Sequence, residues 1–327
     1  MQRKKMSDRI AVVGTNDDAT VSRLSAISLG YWQDPFTAAF VKPRAAQRKP
    51  PIINRGTYTR YSAIQTLVTR FLESSEDASK DRQIVVAGAG FDTRFFAAKS
   101  AQTQPKLYVE IDLPEVTARK AQTVKKNAEM TKLLGEHKLA AGGCEIHGTD
   151  YCLLSGDLRQ WNSEIVPKLQ SVGFDSSIPT LFLSELVFVY MPPDSVLEIL
   201  TWCASLTASI VINYEQVNPN DAFGKMMLDN LKMRGIHFPG LMGCPSLETQ
   251  IERFRQCGLV GGGEAITMWD QYEHFTSPED RARVTKLEIF DELEEWRLMA
   301  EHYCISWAWQ SKHEPSPLSQ ISLTKHH

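Results

Sequence analysis

The sequence predicts an α/β protein built on a mostly parallel sheet with helices on both faces. Three observations carry that expectation. From residue 83 onward, short apolar runs alternate with helical spacing, the pattern of parallel strands joined by crossover helices. A Gly88-Ala89-Gly90 turn sits where the first of these runs meets a helix start. Acidic residues close the second and fourth runs, at Asp112 and Glu185.

The elements follow in order. Residues 1–16 read as a flexible tail, and 17–327 as one domain. Asp17 or Asp18 is a candidate cap for a helix reaching about Leu29, which Gly30 ends. Residues 35–72 contain no acid and carry Lys42, Arg44, Arg48, Lys49, Arg55, Arg60 and Arg70. Pro43, Pro50 and Pro51 make the first half a loop, while Ala63, Leu67, Phe71 and Ile64, Val68, Leu72 put the second half, from Thr57, on a helix. Residues 17–80 thus form a helical, lid-like segment before the sheet.

Strands are expected at 83–87 (QIVVA), 106–112 (KLYVEID), just before Tyr151, 179–185 (PTLFLSE) and 208–214 (ASIVINY). Residues 127–148 are polar and ambiguous. Residues 216–261 read as an insertion over the site, with a Met-rich helix at 222–233. A late strand at 262–268, one long helix from Pro278 to Tyr303 and a last strand at 305–310 complete a seven-stranded sheet.

The bulk numbers narrow the class. At 43% hydrophobic and 23% charged, 327 residues can bury a core without disulfides or metals. A net charge of -3 argues against nucleic-acid or membrane binding by the chain as a whole. The six cysteines form no CxxC pair and no zinc-ligand spacing, so no metal is expected. The first ten residues are polar, and no apolar run reaches the roughly 20 residues of a membrane span; the expected location is the cytoplasm.

The chemistry gathers where strands end. Glycines at 88 and 90 let a ligand approach the backbone, although a tight turn without a ligand reads the same. Glu110 and Asp112 share one face of their strand. Asp112, nearer the carboxyl end, is the better candidate for ribose hydroxyls, and a solvated strand-end acid is the alternative. The dinucleotide fingerprint wants a third glycine where Thr93 stands, which shifts the reading from NAD to S-adenosylmethionine. Asp157 and Leu158, after the third strand, can read an adenine edge, or Asp157 simply caps a helix. Glu185 ends an apolar run, so it faces a ligand or its burial is costly; the donor's ammonium group suits it.

Several segments are more specific. Gly30-Tyr31-Trp32 with Asp34-Pro35, Asn54-Arg55-Gly56 with Arg60, the run 184–191 (SELVFVYM) and Asn213-Tyr214-Glu215-Gln216-Val217 together resemble leucine carboxyl methyltransferase over about 17–309. The resemblance implies a class I S-adenosylmethionine-dependent methyltransferase fold. It implies methylation of the α-carboxyl of the C-terminal leucine of the type 2A protein phosphatase catalytic subunit, with the tail and the phosphatase body as partner. The family's cofactor contacts fall on Arg23, Arg60, Gly88, Asp112, Asp157, Leu158 and Glu185, and its acceptor pocket on Arg60 and Tyr190. Arg23 stands where relatives have lysine, Ala87 replaces a bulkier residue, and 127–148 do not match. The basic stretch 35–72 is a candidate steering rim, and Met226, Met227 and Met233 a candidate wall for a leucine side chain.

Alternatives are an O-methyltransferase of the same superfamily acting on a small-molecule or tRNA carboxyl, an NAD(P)-dependent oxidoreductase, and a non-catalytic phosphatase partner. Thr93 and Glu185 disfavour the oxidoreductase. The tRNA-acting relatives carry a further repeat domain, for which a chain ending at His327 leaves no room. An intact Gly88, Asp112 and Glu185 set disfavours the non-catalytic reading.

Overall fold

The computed structural model describes residues 2–326, with side chains described from residue 13 onward. Nine strands form one sheet in the order β3-β4-β5-β2-β1-β6-β7-β9-β8. The strands are β1 Gln83–Ala87, β2 Leu107–Asp112, β3 His137–Ala140, β4 Glu145–Gly148, β5 Tyr151–Ser155, β6 Thr180–Glu185, β7 Ala208–Gln216, β8 Gly262–Thr267 and β9 Tyr303–Ser311. β5, β2, β1, β6 and β7 run parallel; β9 is antiparallel to both β7 and β8.

Seven of these strands are the expected set. The other two, β3 and β4, are an antiparallel hairpin added at one edge, and they occupy the polar stretch left without an assignment. Alternation fails to announce them because β3 is at most half-buried on either face. The third parallel strand also begins at Tyr151 rather than ending before it.

Strand alternation divides the core in two. Ile84, Val86, Tyr108, Leu181 and Ile212 face one side, and Val85, Ala87, Val109, Phe182 and Val211 the other. The first face is covered by α2, Pro51–Glu73, which buries Ala63, Ile64, Leu67, Val68, Phe71 and Leu72. Ile64, Leu67 and Phe71, fully buried, each contribute about 1.5–3 kcal/mol. Pro51 opens this helix, where a missing N–H costs nothing. It therefore starts six residues before Thr57 and carries both Arg55 and Arg60.

Two further differences matter for the site. α1 runs unbroken over Gln2–Ser28, where the sequence suggested a tail to residue 16. Asp17 and Asp18 lie inside it and pair with Arg119 and Arg234 at 2.6 Å each, so they tether the helix rather than cap it. The expected long helix from Pro278 is two, Pro278–Thr285 and Leu293–Ala300. Between them Glu288 turns inward, its side chain fully buried, and accepts from Tyr31 Oη at 3.0 Å and Asn54 Nδ2 at 3.1 Å.

Candidate active site

Neighbouring parallel strands deliver their ends to one edge. Gly88 follows β1, Asp112 ends β2, Asp157 and Leu158 follow β5, and Glu185 ends β6. The connections leave β1 in opposite directions, to β2 on one side and β6 on the other, which opens a crevice at the carboxyl ends.

Gly88 and Gly90 have φ of +61° and +51°, left-handed values that favour glycine. A Cβ on Gly88 would lie 2.4 Å from Val187 Cγ2, and one on Gly90 2.4 Å from Asn16 Oδ1. Asp112 fixes the turn: its Oδ2 accepts from Gly90 N at 2.7 Å and its Oδ1 from Leu113 N at 2.6 Å. Burial pushes this carboxyl up, and the two backbone bonds pull it back. Glu110 does something else. It is fully buried, takes the Tyr151 hydroxyl at 2.7 Å and pairs with Lys120. Burial pushes it up to about 7 against the pull of Lys120.

Asp157 caps the turn after β5, accepting from Arg159 N at 3.0 Å and Nε at 2.8 Å. Asp157 thus makes cap bonds at the start of this turn, beside a buried Leu158. Gly156 N donates to Asp112 O at 2.9 Å, which ties this turn to the β2 end.

Glu185 is the hub. Arg60 Nε donates to its Oε1, and Arg94 Nη1 to its Oε2 at 3.0 Å. Burial alone would push this carboxyl up; the two guanidinium charges outweigh burial and hold it down at about 2. The Arg60 guanidinium lies 4.6 Å from the centroid of the Tyr214 ring, within cation–π range. Tyr214 in turn stacks on Tyr303 at 5.7 Å. Among the described residues, Arg60 Nη1 and Nη2 have no hydrogen-bond partner. Tyr190 packs on Phe238, ring centroids 5.2 Å apart, and burial raises its hydroxyl above the usual range, so it stays protonated at neutral pH.

Arg23 reaches from α1 to the turn. Its Nη2 donates to Thr93 Oγ1 at 2.7 Å, and its Nη1 to Phe91 O at 3.4 Å. Thr93, standing where a dinucleotide turn has its third glycine, donates to Asp34 Oδ2 at 2.6 Å.

All the expected residues thus reach this edge, Tyr190 by way of the turn after β6. The sequence reading missed Arg94, Asp34, Thr93 as a partner, Asn16 and Tyr214. Tyr214 was within reach, because it ends the strand beside Glu185. Arg94 was not: it reads as the polar start of a helix. Other expectations change. The basic stretch is no continuous rim: Arg55 is buried, donating to Tyr272 Oη at 2.7 Å, and Arg48 pairs with Glu288. Met226 and Met233 are 52% and 80% exposed, a solvent face rather than a closed wall. Two cavities, of about 180 and 660 Å³, lie beside Arg253 and beside Trp32, and neither is lined by Glu185 or Asp112. No group of three or more potential ligand side chains for a metal occurs among the described residues.

The edge fits S-adenosylmethionine. Asp112 would meet the ribose hydroxyls with the acceptor sites its two backbone bonds leave over, the glycine turn would admit close backbone approach, and Glu185 with two arginines would suit a zwitterionic amino-acid arm. Sheet order and site together define a class I methyltransferase. A family model, leucine carboxyl methyltransferase, matches residues 11–204. The leucine carboxyl methyltransferase 1 homologue of Arabidopsis thaliana is 36% identical over 311 residues, 92% of this chain and 90% of that protein. Leucine carboxyl methyltransferase 1 of Bos taurus is 36% identical, covering 92% and 90%. The human tRNA wybutosine-synthesizing protein 4 is 38% identical over 90% of this chain but 43% of its own length. A solved DUF574 family protein from Streptomyces avermitilis shares 12% identity at TM-score 0.49, covering 88% of this chain and 95% of that one. The chain belongs to the leucine carboxyl methyltransferase family and is a methyltransferase that uses S-adenosylmethionine.

Proposed function

We propose that the protein transfers a methyl group from S-adenosylmethionine to the α-carboxylate of the C-terminal leucine of the type 2A protein phosphatase catalytic subunit, giving a methyl ester and S-adenosylhomocysteine. The observation that carries the reading is Arg60: its Nε holds Glu185 while its two terminal nitrogens lack a partner among the described residues. A guanidinium fork suits a carboxylate.

A terminal carboxylate has a pKa of about 3.3–3.7 and is ionised at neutral pH, so its oxygen needs no general base. Bound donor supplies an electrophilic methyl. The acceptor oxygen forms the new C–O bond as the C–S bond breaks and its electron pair returns to sulfur; no proton moves. This chain's residues supply placement. Arg60 orients the acceptor, and Tyr190, kept protonated, donates to its second oxygen. Arg23, Gly88, Asp112, Asp157, Leu158 and Glu185 hold the donor. The neutral ester loses the charge-assisted bond to Arg60, which favours release.

The phosphatase body is the proposed partner of the insertion, on whose helix Ala222–Met233 the exposed Met226 and Met233 lie seven residues apart on one face. The proposed location is the cytoplasm, in keeping with six free thiols. No helix among the described residues is long and apolar enough to cross a membrane.

A second reading, a tRNA carboxyl acceptor, has the human tRNA wybutosine-synthesizing relative in its favour, since its identity matches that of the leucine carboxyl relatives. Methyl-labelled donor incubated with the phosphatase subunit, with the same subunit lacking its last leucine, and with tRNA separates them. The proposal expects base-labile label on the intact subunit alone. Label on tRNA alone overturns it.

A further inference from the structure

Arg94 is a charged residue at the donor edge to which neither sequence spacing nor the family's contact set gives a role. It opens the helix Arg94–Ser100 directly after the glycine turn. Its side chain is only 6% exposed. Nη1 spans two carboxylates, Asp92 Oδ2 at 2.5 Å and Glu185 Oε2 at 3.0 Å. The backbone N of Arg94 also donates to Asp92 Oδ1 at 2.9 Å, so Asp92 holds both ends of the residue. The guanidinium lies 5.8 Å from the Tyr61 ring centroid. Its Nε is buried without a hydrogen-bond partner among the described residues.

Asp92, Arg94, Glu185 and Arg60 form a row of alternating charge whose sum is zero. Taking four ions out of water costs several kcal/mol each unless they satisfy one another. A row that serves folding alone could end at Asp92 and Arg94, which already satisfy each other. Instead it continues to Glu185 at the ligand-facing edge. There the two arginines grip one oxygen each and fix the plane of the carboxylate. A carboxylate has about four acceptor sites; the arginines use two and leave room for an ammonium. A zwitterionic arm adds no net charge to a row that is already balanced.

We propose that Arg94 is a positioning residue for the donor's amino-acid arm, acting through Glu185. The inference rests on the donor reading of this edge and is independent of which acceptor is methylated. Its test uses two ligands that differ in that arm, S-adenosylhomocysteine and 5′-methylthioadenosine, titrated calorimetrically into the full-length protein. Binding of both by the wild type establishes the donor site; binding of neither sinks that reading before Arg94 is at issue.

With Arg94→Gln, affinity for S-adenosylhomocysteine should fall at least about tenfold, the effect of losing one charge-assisted bond. Affinity for methylthioadenosine should change less than about twofold, because that ligand lacks the arm and keeps its ribose and adenine contacts. Arg94→Lys should recover part of the loss. Arg94→Gln orphans Asp92, so the double variant Asp92→Asn/Arg94→Gln, which removes that buried charge, is measured beside it. The same ligand-selective loss is expected there. Equal losses for both ligands, no loss for either, or a double variant that still fails to fold would make Arg94 a scaffold residue and overturn the proposal.

Discussion

Two carboxylates, Glu288 beneath the N-terminal helices and Glu185 at the edge of the sheet, are both held by arginine, yet they differ in how far they are sealed from solvent. Glu288 takes Tyr31, Arg48 and Asn54, and its side chain is fully buried. It pins the α1–α2 connection to the C-terminal helices. Glu185 takes Arg60 and Arg94 and keeps 18% of its side chain exposed. A saturated, sealed carboxylate acts as a clamp; one gripped on both oxygens and still open to solvent is the proposed receptor for the donor's ammonium group. A difference in exposure likewise separates buried Glu110 from half-buried Asp112 on one strand, and buried Arg55 from Arg60 on one helix.

The contrast is broken most directly by Glu185→Gln against Glu288→Gln. Glu185→Gln should weaken S-adenosylhomocysteine binding about 10- to 100-fold, the scale of losing one charge-assisted hydrogen bond of about 1.5–3 kcal/mol to the ligand's ammonium. Glu288→Gln should lower the melting temperature and leave affinity per folded molecule unchanged. Calorimetry beside thermal melts reads both, and equal binding losses would erase the distinction.

Arg60→Ala against Arg55→Ala comes next. Arg60→Ala should reduce kcat/KM for the acceptor about 100-fold, the scale of a lost charged contact in the transition state. Arg55→Ala, which loses Tyr272 and the Phe290 face, should cost stability, with kcat/KM of the surviving fold near wild type.

Tyr214 sharpens the picture at the acceptor side. If its ring is the platform under Arg60, Tyr214→Phe should keep activity and Tyr214→Leu should lose about threefold to tenfold, a cation–π contribution of about 1 kcal/mol. Steady-state kinetics with both variants decide it, and equal loss in Phe and Leu would move the role to the hydroxyl.

The pH dependence of stability reads the same Glu185 carboxyl without any ligand. Glu185 is held at about 2, below its usual 4.5. A depressed carboxyl contributes stability that is fully present above the unfolded value and is lost as pH falls through the folded one. Denaturation curves between pH 4.5 and 2 should therefore fall more steeply for the wild type than for Glu185→Gln, by at most about 3 kcal/mol across the window. Parallel curves would mean that the arginines do not hold Glu185 ionised.

The edge at the carboxyl ends of the strands was readable because its residues close apolar runs: Asp112 and Glu185 stand where alternation stops, and Gly88 and Gly90 follow a strand. What stayed hidden shares one cause, in that partners distant in sequence make the element. β3 and β4 exist because they pair with each other and with β5, not because their own residues prefer to extend. The break between the last two helices is set by Tyr31 and Asn54 drawing Glu288 inward. Arg94 gains its meaning only from Glu185, 91 positions away. The most family-specific segments proved structural in large part. Asn54 and Arg55 clamp helices, and Asn213 and Glu215 face Gln250 and Arg253 under the insertion, while Tyr214 between them turns to the site.

The central claim is that this edge joins a methyl donor to a terminal carboxylate. The most direct measurement is mass-spectrometric mapping of the phosphatase catalytic subunit after incubation with the protein and methyl-labelled donor. The account predicts a single added methyl on the carboxyl of the last leucine, removed by mild base, and its absence with Arg60→Ala. A methyl on any side chain, or an unmodified terminus in a sample whose donor has been consumed, would contradict it.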